Sequence, residues 1–143
     1  MSVVAVSGQV GFGECDPLGI MWHGHYWRWL EIARTELLRS VGLDVPDLAA
    51  FGVRVVVADA RCSHHRPLRY AERFRVEAWV PLAGPGVDVQ YRVTSGAEPG
   101  GPLCAKARTL LAAIHPTEDR LIDVPAALLA RLEPIVGPRS ADP

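Results

Sequence analysis

The period of the hydrophobic pattern changes once along this chain, from helical to strand-like, and this change restricts the fold more than any other feature. Across residues 23–41, apolar side chains recur every three or four positions, which predicts one long amphipathic helix ended by Gly42. Between residues 53 and 115 the period is two, which predicts strands. A further strand is predicted at residues 3–12, and a short helix at residues 125–132.

The part of the chain with period two divides into four predicted strands. They span residues 53–66, 73–80, 87–94 and 103–115, with turn-forming residues at 82–86 and 98–102. Strands joined by tight turns pair antiparallel, because parallel pairing needs a long crossover. The long helix must then bury its apolar face against one side of the sheet, so the expected fold class is α+β.

Length and composition narrow the class of protein. With 143 residues, 49% of them hydrophobic, the chain is expected to form one domain over residues 1–136, followed by a flexible tail at 137–143. A net charge of −1 gives no field that would attract nucleic acid, and no apolar run reaches the length of a membrane span. No signal-peptide pattern is present. The three cysteines lie far apart in sequence, so a reduced, cytoplasmic protein is expected.

One turn-rich segment, Asp16-Pro-Leu-Gly-Ile-Met-Trp-His23, leads directly into the predicted helix. A carboxylate opposite a helix N-terminus is a minimal arrangement for attacking a carbonyl, because the free backbone N–H groups can stabilise an oxyanion. Taken alone, an Asp before Pro and Gly is more often a turn former that bonds its own backbone. Glu14, a second carboxylate in this loop, is the alternative acid, although we expect it to be a solvated charge.

Other catalytic arrangements fit the sequence less well. His23 and His25 are two positions apart on a helix and point in different directions, so no metal site is predicted. His64 and His65 are adjacent on a predicted strand and are expected to point to opposite faces. No Ser or Cys lies in a nucleophile-elbow pattern. Trp22 lies in the loop before the helix and is a candidate for the lining of a binding pocket.

Two motifs resemble the hotdog-fold thioesterases, in particular the 4-hydroxybenzoyl-CoA thioesterase family and its acyl-CoA thioesterase relatives. The first motif consists of Phe12, Asp16, Gly19, His23 and Tyr26, continued by Trp29-Leu-Glu-x-Ala-Arg34. The second is His65-Arg-Pro-Leu-Arg-Tyr70, and element order agrees over about residues 10–132. The resemblance implies a curved antiparallel sheet wrapped around one long central helix.

The resemblance also implies a mechanism without metal or cofactor. Asp16 would be the catalytic carboxylate, as nucleophile or as general base, and the backbone N–H of His23 would polarise the thioester carbonyl. Trp22, Gly24 and Tyr26 would be substrate-binding residues around the start of the helix.

The carrier of the thioester is left open at this point. Arg66 and Arg69 are candidate contacts for the phosphates of coenzyme A, while the predicted turn at 81–87 lacks any cation. An acyl-carrier-protein thioester is the alternative substrate. A hydratase or dehydratase of 3-hydroxyacyl thioesters and a non-catalytic acyl-binding module are the competing functions. The resemblance further implies a homodimer or homotetramer, with sheets joined edge to edge and active sites at the dimer interface.

Overall fold

The protein is described here by a computed structural model covering residues 3–138, so most of the predicted tail lies outside the described residues. Within this range six strands form one sheet, and three α-helices accompany them. The strands are β1 (Val4–Gln9), β2 (Arg54–His64), β3 (Arg73–Ala83), β4 (Val87–Ser95), β5 (Leu103–Ile114) and β6 (Leu121–Ile122). The helices are α1 (His23–Arg39), α2 (Val45–Ala49) and α3 (Ala126–Leu132). All strand pairs are antiparallel, which confirms the α+β class.

The order of the strands in the sheet is β1-β3-β4-β5-β2, with β6 beside the end of β5. The turns predicted at 82–86 and 98–102 do join β3 to β4 and β4 to β5. The expectation that all four strands follow one another through tight turns is wrong at one place, because β2 pairs with β5 and not with β3. The connection at residues 65–72 contains Pro67 and a left-handed residue, Ala71 (φ 64°), and carries the chain to the far side of the sheet.

Helix α1 has 17 residues and is two residues shorter than the predicted segment 23–41. Its ending near Gly42 is as predicted: Gly42 adopts φ +73°, and the N–H of Leu43 bonds to the carbonyl of Leu38 at 2.9 Å. This arrangement is a Schellman motif, which satisfies the last free carbonyls of the helix.

One face of α1 is buried, through Tyr26, Leu30, Ala33 and Leu37. The helix packs against β3 and β1, while its Tyr26 ring lies 4.8 Å from the ring of His64 on β2. Since β1 and β2 are opposite edges of the sheet, the sheet wraps around the helix, as the resemblance to hotdog proteins implies. This curvature brings the end of β2 to the N-terminus of α1.

Candidate active site

The loop before helix α1 is a tight hairpin with Asp16 near its tip. The N–H of Asp16 bonds to the carbonyl of Ile20 at 2.9 Å, and the N–H of Gly19 bonds to the carbonyl of Asp16 at 2.9 Å. Gly19 has φ +77°, a left-handed conformation that glycine adopts at little cost, which explains why this residue follows Asp-Pro-Leu. The hairpin therefore fixes where the Asp16 backbone stands relative to the helix.

The second predicted motif lies directly against this hairpin. The N–H of Met21 donates to the carbonyl of Leu68 at 2.7 Å, and the N–H of Tyr70 donates to the carbonyl of Gly19 at 3.2 Å. Leu68 is fully buried and anchors the segment to the core. The fold thus joins two motifs that lie about 50 positions apart in the sequence.

A cavity of about 330 Å³ opens between the hairpin, the start of α1 and the end of β2. Four of the seven residues predicted for the site line it, namely Asp16, His23, Tyr26 and Arg66. The remaining lining residues are Ile20, Met21, His64, His65 and Pro67. Trp22, Gly24 and Arg69 lie beside the cavity and not in its wall.

The Asp16 carboxylate is half-buried and has one hydrogen bond inside the hairpin. Its Oδ1 accepts from the N–H of Leu18 at 2.8 Å, which is the turn-forming role that the sequence also allowed. Within residues 3–138, no hydrogen bond to Oδ2 is formed. One oxygen therefore orients the carboxylate while the other remains available to a water molecule or an acyl carbon.

Helix α1 begins at His23 without a side-chain cap. The N-cap is Trp22, whose side chain makes no capping hydrogen bond, whereas a Ser, Thr, Asp or Asn there would occupy the free N–H groups. The N–H of His25 already bonds to the carbonyl of Trp22 at 2.9 Å. The N–H groups of His23 and Gly24 have no intrahelical acceptor by helix geometry, and the positive end of the helix dipole lies there.

Trp22 covers the first turn of the helix from outside. Trp22 is 47% exposed, and its ring lies 5.0 Å from the tilted ring of His23 and 5.4 Å, in an edge-to-face arrangement, from the ring of His25. A Cβ at Gly24 would come within 2.2 Å of this indole. Alanine at position 24 would therefore require this indole to move, a constraint that the sequence did not reveal.

Tyr26 and His64 both line the cavity, Tyr26 as a buried side chain and His64 as an exposed one. The Tyr26 ring is almost fully buried, and burial raises the pKa of its hydroxyl to about 12, so the hydroxyl is a neutral hydrogen-bond donor at all ordinary pH values. The pKa of His64 is lowered, first by partial burial and then by the nearby imidazoles of His23 and His65.

His64 and His65 also line the cavity, although the sequence did not predict them as cavity residues. Strand alternation predicted opposite directions for them, but β2 ends at His64, so alternation no longer applies to His65 and both reach the cavity. Their position immediately before Arg66 and Pro67 in the second motif was the available signal.

Glu14 is not the solvated charge that the sequence analysis expected. Its carboxylate is half-buried and accepts two hydrogen bonds, from the backbone N–H of Gly11 at 2.9 Å and from Nε1–H of Trp29 at 2.7 Å. It does not line the cavity.

Among residues 3–138, no three His, Cys, Asp or Glu side chains are placed to hold a metal ion together. The same residues contain no helix that is long and apolar enough to cross a membrane.

A hairpin that carries Asp16, a central helix with an uncapped N-terminus and a sheet wrapped around that helix together define a hotdog-fold protein. Comparison with known proteins identifies the family. A model of the thioesterase-like superfamily matches residues 10–132, so the chain belongs to that superfamily.

Individual relatives agree with this assignment. "Putative esterase sll0410" of Synechocystis is 30% identical over 122 residues, which cover 85% of this chain and 68% of that protein. "Putative acyl-CoA thioesterase YneP" of Bacillus subtilis is 35% identical over 72 residues, which cover 50% of this chain and 52% of that protein. The match thus spans about half the length of the Bacillus relative. The structure of DHNA-CoA thioesterase from Staphylococcus aureus shares the fold, with a TM-score of 0.76, 22% identity and coverage of 86% of this chain and 81% of that chain.

Proposed function

We propose that this protein hydrolyses an acyl thioester to a free acid and a thiol, with Asp16 as the catalytic carboxylate. One observation carries the proposal: the half-buried Asp16 carboxylate and the uncapped N-terminus of α1 at His23 line the same cavity. The carboxylate supplies a nucleophile or a base, and the helix terminus supplies the N–H groups that a developing oxyanion needs.

In the proposed reaction, Asp16 either attacks the thioester carbon or removes a proton from the water that attacks it. The carbonyl oxygen gains negative charge, which the N–H of His23, with that of Gly24 beside it, would stabilise. The C–S bond then breaks and the sulfur leaves as a thiolate, whose low basicity makes strong acid assistance unnecessary. In the nucleophilic variant, water subsequently hydrolyses the acyl-Asp16 anhydride.

The other residues predicted for the site fit the roles of binding and orientation. Tyr26 lines the cavity and has a neutral hydroxyl, and Trp22 flanks the helix start. The side chains of Arg66 and Arg69 are exposed at and beside the mouth, where guanidinium groups would meet phosphates of the thiol carrier.

We favour coenzyme A as the carrier over an acyl carrier protein. The printed names of relatives support it, since the Bacillus relative is named as an acyl-CoA thioesterase and the Staphylococcus structure as a DHNA-CoA thioesterase. The connection between β3 and β4 carries no cation, so the phosphate contacts would come from Arg66 and Arg69. Comparing kcat/KM for one acyl group on coenzyme A and on a carrier protein tests this choice.

The catalytic proposal is tested by Asp16→Asn, which keeps the side-chain acceptor for the Leu18 N–H but removes the charge. We expect kcat to fall by about a hundredfold or more, because general base or nucleophilic assistance is lost. Thiol release from a panel of aromatic, medium-chain and long-chain acyl-CoA substrates is the measurement. Asp88→Asn, which removes a half-buried ion pair with Arg108 outside the cavity, is the matched control and should retain turnover. Turnover of Asp16→Asn near that of the unmodified protein would refute the mechanism.

The same assay separates the two competing functions. A hydratase would remove the ultraviolet absorbance of a 2-enoyl thioester without releasing thiol, using a carboxylate and a histidine such as Asp16 and His23. A non-catalytic module would bind acyl thioesters with no turnover that depends on Asp16.

We further propose that the protein is a homodimer, or a homotetramer of such dimers, joined through β2. Strand β2 lies at the edge of the sheet, and within residues 3–138 no strand pairs with its outer side. Val56 and Val57 are 44% and 46% exposed on this edge, beside an apolar groove between β2, α1 and α2. An exposed apolar edge strand of this kind is a template for pairing with a second copy.

The three cysteines are free thiols, which fits the proposed cytoplasmic location.

A further inference from the structure

We propose that Glu14 is a positioning residue for the hydrolysis: its hydrogen bond to Trp29 holds the Asp16 hairpin in place against helix α1. This inference rests on the proposed role of Asp16. It concerns a carboxylate that lies outside the cavity and that acts through the geometry of the loop.

Glu14 accepts three hydrogen bonds, and two of them connect the hairpin to helix α1. Its Oε1 accepts from the N–H of Gly11 at 2.9 Å, and its Oε2 accepts from Nε1–H of Trp29 at 2.7 Å. Its backbone carbonyl accepts from the N–H of Trp22, the N-cap of α1, at 2.9 Å. Glu14 thus touches the start of the loop, the start of the helix and a side chain almost two turns into the helix.

Trp29 is a fixed point and not a mobile surface residue. Its ring packs edge-on to Phe74 at 4.9 Å, and Phe74 is fully buried on β3. A Cβ at Gly8, which pairs with Phe74, would come within 2.6 Å of the Trp29 indole. The ring therefore fills a space left by a glycine on β1, and this packing fixes the direction of its N–H group.

The position of Asp16 follows from this anchor. Glu14 and Asp16 are separated in the chain only by Cys15, and the hairpin bond between Asp16 and Ile20 transmits the position of the loop stem to its tip. The other stem is anchored by the Met21 N–H bond to Leu68. Without the Glu14 carboxylate, the Trp29 and Gly11 N–H groups lose their acceptor, and the first stem can shift relative to α1.

A small shift matters because Asp16 must attack at a carbonyl held by the His23 N–H. A displacement of about 1 Å can cost about a hundredfold in rate when it changes the angle of attack. Substrate binding depends on other groups, so KM is expected to change much less than kcat.

The test is a double-mutant cycle on kcat with Glu14→Ala, Trp29→Phe and the double variant. Trp29→Phe keeps an aromatic ring against Phe74 and removes only the N–H donor. Each single variant is expected to lower kcat by about tenfold or more with KM within about threefold, measured well below the melting temperature. Because both changes delete the same hydrogen bond, adding Trp29→Phe to Glu14→Ala should lower kcat little further.

Conservative rescue and matched controls separate positioning from general destabilisation. Glu14→Gln keeps one acceptor oxygen and should retain more kcat than Glu14→Ala. Glu36→Gln, which removes an exposed carboxylate paired with Arg39 on the same helix, and Trp27→Phe, which changes another indole of α1, should keep kcat unchanged.

The inference is overturned if Glu14→Ala keeps its kcat per folded molecule, or if the effects of Glu14→Ala and Trp29→Phe multiply. Asp16→Asn is measured in parallel to distinguish the two proposals. If Asp16→Asn is inactive while Glu14→Ala is fully active, only the role of Glu14 fails. If Asp16→Asn is active, the proposed mechanism fails first.

Discussion

Asp16 combines two roles that sequence reasoning treats as alternatives. Its Oδ1 closes the turn with the Leu18 N–H, and the same carboxylate lines the cavity next to His23. A turn-forming Asp is rigid, since the bond to its own backbone restricts the side chain. The local turn therefore orients the group proposed to react, and the two roles support each other.

His64 makes the stability of the protein depend on pH in a defined direction. Its pKa in the folded protein is lowered by burial and by His23 and His65, so folding favours the neutral imidazole. The unfolded chain binds a proton more readily, and stability falls as the pH drops below the ordinary histidine value of about 6.5. Between about pH 7.5 and pH 5.5, we expect the melting temperature of the His64→Gln variant to fall by less than that of the unmodified protein. An equal loss in both proteins would contradict this assignment.

At the scale of elements, the start of helix α1 differs from an ordinary helix start. Its N-cap is a tryptophan whose side chain lies over a glycine and leaves the first N–H groups uncapped. A helix that only had to be stable would gain from Ser or Asp at the N-cap. The sequence has Trp22 at this position, which fits the proposed role of the helix start in binding an oxyanion.

Gly24→Ala tests this packing by its effect on stability. Alanine is favoured over glycine in a helix by about 1 kcal/mol, but here the added Cβ meets the Trp22 ring at 2.2 Å. We expect Gly24→Ala to give no stabilisation by itself. In a Trp22→Ala background the same change should raise the free energy of unfolding by about 1 kcal/mol, as measured by urea denaturation. A full gain in the presence of Trp22 would show that the indole does not confine this position.

At the scale of the whole molecule, the exposed edge of β2 is the surface through which two chains are proposed to pair. This edge is the strand whose end supplies His64 to the cavity, so a second chain paired there would lie close to the site. The apolar groove beside Val55, Val56 and Val57 would be covered in such a dimer.

Val56→Lys is designed to prevent the pairing of two chains through β2. A lysine on an edge strand opposes strand addition, so we expect a monomer by light scattering together with reduced thioesterase activity. Leu82→Lys places the same charge on an exposed residue of β3, where Leu82 is 66% exposed, and should leave the mass unchanged. If the Val56→Lys variant remains a dimer with the original mass and activity, the interface between the two chains does not lie at β2.

Contacts between residues close together in the chain are the ones that the sequence predicts best. Helix α1, its end at Gly42 and the two hairpins follow from hydrophobic period and turn residues, which act within a few positions. The proximity of Asp16 and His23 is local as well, because they are seven positions apart and one tight hairpin lies between them. The pairing of β2 with β5 was not predictable in this way, since no local signal distinguishes it from pairing with β3.

By itself, the sequence therefore determined the elements, the acidic turn and the helix start that follows it, because neighbouring residues specify each of these. Only the tertiary structure decided that β2 closes the sheet around α1, that His64 and His65 reach the cavity, and that Glu14 bonds to Trp29. Each of these depends on the curvature of the sheet or on contacts between segments far apart in the chain. Such contacts are set by the packing of the whole core, and no single segment contains the information for them.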